Sequence, residues 1–507
     1  MKPYMLAIDQ GTTSSRALVF DVRGKVVAMA QREFPQYFPK PGWVEHDGLE
    51  IWDSVRLVVA EVLRKIGPHQ IAAIGIANQR ETTLLWDRET GMPISRAIVW
   101  QSRQSASICE TLKKQGLEPL FMRRSGLRLD PYFSATKIRF LLDGVRGARR
   151  RAREGSLCFG TIDTWLLWKL TGGKVFATDA TNASRTLLYD LRLGAWSREL
   201  CEAIDIPMEI LPEIRPSSGL FGESIPKHTG GVPLPICGMA GDQQAALFGQ
   251  ACYLPGSVKN TYGTGCFMLM NTGTKPVFSK HGLLTTVAWQ LPGERCFALE
   301  GSVFVAGSAI QWLRDGLGLL RSSSESESLA RSVDSNAGVY LVPAFAGLGT
   351  PWWDPNTRGA FFGLTRGATR AHFVRAALES MAYQTRDVLA AMAQDSGRRL
   401  ALLRVDGGAS KNAFLMQFQS DLLGIPVERP RNTETTAFGA AALAGLAVGF
   451  WKDRATLSRT VSIERRWKPA LPRKKADLAY GRWLNAVAAA RRFARAPKRL
   501  SPLSPGI

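Results

Sequence analysis

The stretch Leu6-Ala7-Ile8-Asp9-Gln10-Gly11-Thr12-Thr13-Ser14-Ser15 passes from apolar residues into a polar turn that contains a glycine. Residues 16–20 restore an apolar pattern, so we expect two strands joined by this turn. The second half repeats this strand–turn–strand pattern, because residues 257–260 lead into Thr261-Tyr262-Gly263-Thr264-Gly265 and an apolar run follows at 266–270. Two such units predict two related domains.

Between and after these units, helical patterns alternate with glycine turns. Apolar residues recur at helical spacing over residues 52–66, and Gly67 is expected to end that helix. A long helix is expected over residues 373–388, closing near Gly397, and another over 412–423. The recurring order of strand, glycine turn and helix is typical of an α/β protein with mixed sheets.

The chain length supports two domains. At 507 residues it exceeds the roughly 250–300 residues at which single hydrophobic cores stop growing. We place the domains at residues 1–250 and 251–507, with the link near 248–255. No long linker rich in Pro, Gly or Ser separates them, so we expect the halves to pack around a cleft, where ligands tend to bind.

The net charge of +22 is unusually high for a protein of this composition. Residues 452–507 hold fifteen Lys or Arg against three acidic residues, and a second basic cluster spans 146–153. Neither segment has the interleaved aromatic residues or recognition helix of a nucleic-acid binder. We therefore expect solvated surface charge, no nucleic-acid partner, and a basic C-terminal tail from about residue 465. Deletion from about Lys474 onward should leave activity largely intact.

Cysteine spacing and hydropathy exclude other classes. The seven cysteines form no Cys-x-x-Cys pair, so neither a disulfide framework nor a zinc site is expected. The longest apolar stretch, residues 437–451, is shorter than the roughly 20 residues of a membrane span and predicts a closely packed internal helix. No secretory signal is evident at the N-terminus, and we expect a cytoplasmic protein without membrane insertion.

Phosphate chemistry is suggested by four small turns. The chain lacks a Gly-x-x-x-x-Gly-Lys-Ser/Thr loop, but it has small glycine turns at residues 11–15, 238–242, 263–265 and 407–408. The first three combine glycine with hydroxyl or acidic side chains. Glycine lets a backbone approach phosphate closely, and successive N–H groups can bind its oxygens. Two turns carry an aspartate, Asp9 and Asp242. Phosphoryl transfer needs little beyond such positioning, a metal ion and an oriented nucleophile.

The motifs at these turns resemble those of the FGGY carbohydrate kinases. The similarity covers about residues 4–465, with the family's C-terminal signature over 359–379 and its other motifs at 9–16, 78–83, 130–133, 241–244 and 263–265. It implies an actin-like ATPase fold, in which two ribonuclease-H-like domains close over ATP and Mg²⁺ in a cleft. It also implies a kinase for a small polyol, with glycerol as the expected substrate and sn-glycerol 3-phosphate and ADP as products.

The resemblance implies roles for individual residues. Asp242 would be the general base for the attacking hydroxyl. Asp9 and Asp242 would hold Mg²⁺, Asp9 through water because Mg²⁺ dehydrates reluctantly. The residues matching the family's polyol contacts are Arg80, Glu81, Trp100, Tyr132, Asp242, Gln243 and Phe267. Those matching its nucleotide and phosphate contacts are Thr12, Thr13, Ser14, Arg16, Thr264, Gly307, Gln311, Gly408 and Asn412.

Two alternatives stay open from the sequence. One is a family kinase for a pentulose, a pentitol or erythritol, which the pair Arg80-Glu81 with Tyr132 disfavours because a larger sugar needs more room and different partners. The other is a non-catalytic actin-fold scaffold or nucleic-acid binder, which only the basic C-terminus supports. Relatives in the family form dimers and tetramers, so a homodimer or homotetramer is expected.

Overall fold

The computed structural model of the chain describes residues 2–495. In the first half the strands are β1 Tyr4–Gln10, β2 Ser14–Phe20, β3 Val26–Glu33, β4 Glu45–His46, β5 Ile71–Asn78, β6 Leu84–Asp87, β7 Ala97–Ile98, β8 Leu157–Gly160, β9 Ala177–Asp179, β10 Tyr189–Asp190, β11 Ala195–Trp196, β12 Glu213–Arg215, β13 Ser218–Glu223 and β14 Pro235–Gly241. Its helices are α1 Gly48–Ile66, α2 Ala106–Lys114, α3 Glu118–Ser125, α4 Ser134–Gly144, α5 Ala148–Arg153, α6 Ile162–Leu170, α7 Ala180–Ala183, α8 Arg198–Ala203 and α9 Asp242–Gly249.

The second half has fewer strands and longer helices. Its strands are β15 Val258–Tyr262, β16 Cys266–Gly273, β17 Leu284–Leu291, β18 Glu294–Val303, β19 Tyr340–Val342, β20 Ala360–Phe362, β21 Leu403–Asp406, β22 Val427–Pro430 and β23 Ile463–Trp467. Its helices are α10 Gly307–Asp315, α11 Glu325–Arg331, α12 Arg370–Ser396, α13 Ala413–Leu423, α14 Thr435–Ala447, α15 Arg454–Thr460 and α16 Arg473–Ala494.

The two large sheets share one arrangement. The first has the order β3-β2-β1-β5-β14-β13, and β1 is antiparallel to β2 but parallel to β5. The second has the order β17-β18-β16-β15-β21-β22-β23, and β15 is antiparallel to β16 but parallel to β21. Each sheet is therefore built on a hairpin with a parallel strand beside it, as the repeated strand–turn–strand pattern predicted.

The predicted helices have the expected ends. Helix α1 starts after Asp47, whose side chain accepts a hydrogen bond from the backbone N–H of Leu49, and it ends at Gly67 with φ 85°. Helix α12 ends at Gly397, which adopts the left-handed conformation that glycine tolerates best. Asn412 caps α13 by accepting from the N–H of Leu415.

Helix α14, from the second half, packs on the first sheet, and this contact corrects one prediction. Residues 238–242 were expected to form a phosphate turn, but β14 continues to Gly241 and α9 begins at Asp242. A Cβ atom on Gly238 would lie 2.4 Å from the backbone N of Ala444, and one on Gly75 would lie 2.1 Å from the carbonyl oxygen of Ala440. The small residues of β14 therefore serve helix packing.

The predicted basic tail is wrong for residues 465–495, and its remaining part, 496–507, lies outside the described residues. Strand β23 pairs with β22, and α16 packs against the second sheet's core, where Trp483 and Val487 are fully buried. Trp483 stacks on Tyr383 with ring centroids 5.4 Å apart, and its Nε1 donates to Asp387 Oδ2 at 3.0 Å. Deletion from about Lys474 would remove this core helix, so we now expect that truncation to destabilise the second half.

Acidic side chains pair with part of the basic cluster over residues 146–153. In this cluster, Arg149 pairs with Asp143 and Asp205, and Arg151 pairs with Asp87 at 2.5 Å.

All seven cysteines are buried and unbridged. Between residues 2 and 495, no helix is both long enough and apolar enough to cross a membrane.

Candidate active site between the two sheets

Three parallel strands of the first sheet end at one edge. In the register of the sheet, Gln10 of β1 and Gly241 of β14 both lie beside Asn78 of β5. The residues around these strand ends, Asp9, Arg80 and Asp242, are therefore brought together although they are far apart in the sequence. Crevices at the carboxyl ends of parallel strands are the usual ligand sites of α/β sheets.

Asp242 is the first residue of α9 and reaches into the cleft. Its Oδ1 accepts from the backbone N–H of Gln243 at 2.7 Å and lies 3.2 Å from Nε of Arg80. About 31% of the side chain is exposed, so an incoming group can reach the carboxylate. Burial raises the pKa of Asp242 above its ordinary value, and the charge of Asp9 adds to the rise, while Arg80 and Lys259 oppose it.

Arg80 belongs to a buried cluster of four charged residues. Its Nη1 and Nη2 donate to the two carboxylate oxygens of Glu300 at 2.6 and 2.9 Å. Arg185 donates through Nε to Glu81 at 2.6 Å and through Nη2 to Glu300 at 3.0 Å. Burial opposes ionisation of Glu300, but Arg185 and Arg80 lower its pKa to about 2. The two positive charges of the arginines thus compensate the two negative charges of the glutamates in a region without contact to water.

Sequence reasoning missed Glu300 and Arg185. Glu300 interrupts an apolar run in β18, and a single acidic residue inside a buried strand is a signal that could have been used. Arg185 follows helix α7 in a segment with no local pattern that distinguishes it from a surface arginine. Its role depends on partners about 100 residues away in the chain.

An aromatic wall lies beside Arg80. The ring of Trp100 is 5.6 Å from that of Tyr132 and 6.1 Å from that of Phe267, both in edge-to-face geometry. Nη2 of Arg80 donates to the hydroxyl of Tyr132 at 3.3 Å. The residues predicted to contact a polyol are therefore neighbours in space, and Phe267 comes from the second sheet whereas the others come from the first half.

The hairpin turn of the first sheet contributes the predicted phosphate residues. Arg16 forms ion pairs with Asp9 and with Glu434, and its Nη1 lies 2.5 Å from Oε2 of Glu434. Burial raises the pKa of Asp9, although the positive charge of Arg16 opposes this rise. The hydroxyl of Thr12 accepts from Nε1 of Trp100 at 3.0 Å. The hydroxyl of Ser14 accepts a hydrogen bond from Nε2 of Gln31, and Thr13 is exposed.

A cavity of about 500 Å³ opens in the second half, and it brings together the remaining predicted nucleotide residues, Thr264, Gly307, Gln311, Gly408 and Asn412. The turn at Gly263 and the start of α10 are in close contact, since a Cβ on Gly307 would lie 2.6 Å from the carbonyl oxygen of Gly263. Apolar side chains of Ile310, Leu378 and Met381 line the same cavity. Apolar lining with a few polar groups is typical of ligand pockets.

The residues present fit a magnesium ion. Within residues 2–495 no group of three or more His, Cys, Asp or Glu side chains could form an all-protein metal cage. Mg²⁺ usually takes only one or two carboxylates and completes its shell with water and substrate phosphates. Asp9 and Asp242 provide two carboxylates at this edge of the sheet. The charge of Asp9 raises the pKa of Asp242, and a bound cation would relieve this repulsion.

Comparison with known proteins agrees with this arrangement, and the chain belongs to the FGGY family of carbohydrate kinases. The family's N-terminal domain matches residues 4–249, and its C-terminal domain matches residues 258–448. The family and the two-domain α/β fold expected from the sequence are thereby confirmed, and the fold is consistent with that of the actin-like ATPases. The chain is accordingly an enzyme of the kinase class.

Particular relatives are close. The chain is 60% identical over 495 residues to the glycerol kinase of Geobacillus sp. (strain WCH70), a match that covers 97% of this chain and 100% of the relative. The crystal structure of Plasmodium falciparum glycerol kinase with ADP has a TM-score of 0.91 at 35% identity, covering 96% of this chain and 98% of that one. Ligand-bound xylulose kinase from Lactobacillus acidophilus has a TM-score of 0.87 at 22% identity, with 97% and 99% covered, and shares the fold.

Proposed function

We propose that the chain transfers the γ-phosphoryl group of ATP to a terminal hydroxyl of glycerol, giving sn-glycerol 3-phosphate and ADP. The observation that carries the proposal is the meeting of Arg80, Glu81 and Asp242 with the aromatic wall of Trp100, Tyr132 and Phe267. Arg80 and Glu81 are buried, and Asp242 is partly exposed, so the group offers both donors and acceptors for hydroxyls next to an apolar wall. The 60% identity to a glycerol kinase over nearly the whole chain supports the same substrate.

Asp242 acts as the general base in this proposal. It accepts the proton of the glycerol hydroxyl as that oxygen attacks the γ-phosphorus and the bond from phosphorus to the ADP oxygen breaks. Its raised pKa makes it a stronger proton acceptor than a free aspartate. The partial exposure of its carboxylate leaves room for the hydroxyl to approach.

The polyol is held by complementary donors and acceptors. Arg80 can only donate and ionised Glu81 can only accept, so the hydroxyls that they bind are fixed in orientation. Glu300 holds Arg80 in place through two hydrogen bonds, and Arg185 holds Glu81 in place through one. Trp100 and Phe267 pack against the carbon chain.

The nucleotide occupies the cavity of the second half, with its base and ribose beside Gly307, Gln311, Gly408 and Asn412 and its phosphates between the two hairpin turns. Thr12, Thr13, Ser14 and Arg16 hold phosphate oxygens from one side and Thr264 from the other. Asp9 and Asp242 would hold Mg²⁺, which when bound neutralises the charge of the phosphates.

The two alternatives make different predictions in one assay. ADP release is measured with glycerol, dihydroxyacetone, erythritol and xylulose, and Asp242→Asn serves as the matched inactive control. We expect kcat/KM to be highest with glycerol. A clear preference for erythritol or xylulose would support a family kinase for a larger sugar, and no ADP release with any substrate would support a non-catalytic protein.

Three further properties stay predictions. A domain boundary near residue 250 is supported by the strands of the first sheet, which all lie before Asp242, and those of the second, which all follow it. A homodimer or homotetramer and a cytoplasmic location rest on the family resemblance.

A further inference from the structure

Lys259 is a buried charged residue that the proposed mechanism does not use. It lies on β15, and none of its surface is exposed. Its Nζ donates to Oε1 of Gln243, to the hydroxyl of Thr261 at 2.9 Å and to the carbonyl oxygen of Phe267 at 3.2 Å. An ammonium group has three donors and no acceptor, so all three of its hydrogens are engaged.

The ammonium fixes the orientation of the Gln243 amide. Because Lys259 can only donate, the atom of Gln243 that faces it must be the carbonyl oxygen Oε1. The Nε2 group of Gln243 is then turned away from Lys259, and among the described residues it donates to no protein group. Gln243 is adjacent to Asp242 and only 9% exposed, so its remaining polar group is a hydrogen-bond donor next to the proposed general base.

The contact also joins the two halves of the molecule. Gln243 belongs to α9 at the edge of the first sheet, whereas Lys259 and Phe267 belong to the hairpin of the second sheet. Phe267 forms part of the aromatic wall, and Lys259 binds its backbone. The buried Lys259 therefore contacts both a polar residue, Gln243, and an apolar residue, Phe267, of the proposed polyol site.

We propose that Lys259 is a positioning residue for the polyol: it holds Gln243 as an obligate donor and fixes Phe267, so that the site selects a substrate presenting an oxygen acceptor at this point. The inference rests on the proposed function. Lys259 acts through Gln243 and Phe267, while the nucleotide cavity has no part in these contacts.

Steady-state kinetics of Lys259→Met test the inference. Methionine has a similar length and no donors, so we expect the KM for glycerol to rise about tenfold or more, since hydrogen bonds involving charged groups are worth roughly 1.5–3 kcal/mol. The KM for ATP should stay within about twofold. Lys169→Met is the matched control, because this lysine lies over the ring of Trp165 at 5.2 Å and far from the site, and both KM values should be unchanged.

A double-mutant cycle with Gln243→Ala separates positioning from general damage. If Lys259 acts through Gln243, the double variant should be little worse for glycerol than the poorer single variant. The inference is overturned if the two substitutions have independent effects that multiply in the double variant. It is also overturned if Lys259→Met raises both KM values equally or leaves the KM for glycerol unchanged. If Lys259→Met fails to fold, Lys259→Arg keeps the charge but cannot reach the same three acceptors. It should then raise the glycerol KM selectively, and failure to do so also overturns the inference.

The wild-type chain distinguishes this failure from that of the proposed function. A wild type that releases no ADP with glycerol overturns the proposed function, and the inference falls with it. A wild type that is active with glycerol but insensitive to changes at Lys259 overturns the inference alone.

Discussion

The two central hairpins have the same backbone arrangement and different side chains. In the first, Asp9 lies opposite Arg16 one pair before the end of the ladder; in the second, Thr261 lies opposite Phe267 at the equivalent pair. A charged pair in one sheet thus corresponds to a polar and an aromatic residue in the other. A repeated fold unit does not need to keep the same chemically active side chains, so function must be argued from the residues themselves.

The same contrast extends to the two sides of the cleft. The first sheet's edge gathers the charges of Asp9, Arg80 and Asp242. The cavity of the second half is lined mainly by glycines, serines, other uncharged polar residues and apolar side chains, with Glu327 and Lys411 as its charged residues. The first half is therefore suited to proton transfer and polyol binding, and the second to the shape of a nucleotide. Substitutions in the two halves should affect different kinetic constants.

The largest effect is expected for Asp242→Asn. The amide is nearly isosteric but cannot accept the hydroxyl proton, and general-base catalysis typically contributes about 10²–10⁴ in rate. We expect kcat to fall by a factor in that range, while ATP affinity, measured by calorimetry with Mg²⁺, changes much less. A variant that retains more than about a tenth of wild-type kcat would remove Asp242 from the role of base, and Asp9 would be tested next.

Trp483→Ala should affect folding without affecting either side of the cleft. Truncating a buried Trp costs about 3–5 kcal/mol, and here Asp387 also loses a hydrogen-bond donor. We expect the free energy of unfolding in urea to fall by at least this amount, with both KM values unchanged in the folded enzyme. Leu478→Ala, an exposed position on the same helix, is the control and should change stability by less than about 0.5 kcal/mol. Unchanged stability of Trp483→Ala would contradict a core role for α16.

Arg80→Ala should separate the two halves kinetically. Loss of a charged donor to a buried hydroxyl costs roughly 1.5–3 kcal/mol, which corresponds to an increase of about ten- to a hundredfold in the KM for glycerol. The KM for ATP should change little, and Arg149→Ala, at a surface arginine, should change neither. Equal effects of Arg80→Ala on both substrates would place Arg80 away from the polyol. The variant should also lose stability, because Glu300 would keep only one arginine partner.

The sequence predicted those parts of the structure that local patterns determine. Both hairpins, helices α1, α12 and α13 and the family motifs are defined by glycine turns, caps and apolar spacing over a few residues. The phosphate turn at 238–242 was wrong because the same small residues also permit the approach of α14, which is about 200 residues away in sequence. Sequence alone does not distinguish a glycine needed by a ligand from one needed by a helix.

The other misses have a similar origin. The basic tail was interpreted by its charge, although Trp483, Val487 and Ala490 recur at helical spacing and form a buried face. Lys259 and Glu300 are buried charges within strands, and their partners include residues of other elements of the fold. Local reasoning predicts that such charges must be paired but does not identify the partner.

The smallest expected effect, and the sharpest test of the comparison, is that of Thr264→Ala against Thr13→Ala. Both residues are exposed in the turn of a central hairpin, and the backbone carbonyl of Thr264, which accepts from Ala306 at 2.8 Å, is unaffected by removal of the hydroxyl. A neutral hydrogen bond contributes about 0.5–1.5 kcal/mol, so each change should raise the KM for ATP by about two- to tenfold and leave the KM for glycerol nearly unchanged. Similar increases would mean that both turns hold phosphate oxygens despite their different surroundings. An effect of Thr13→Ala alone would confine the phosphates to the charged first sheet, and the repeated hairpin would then be only structural in the second.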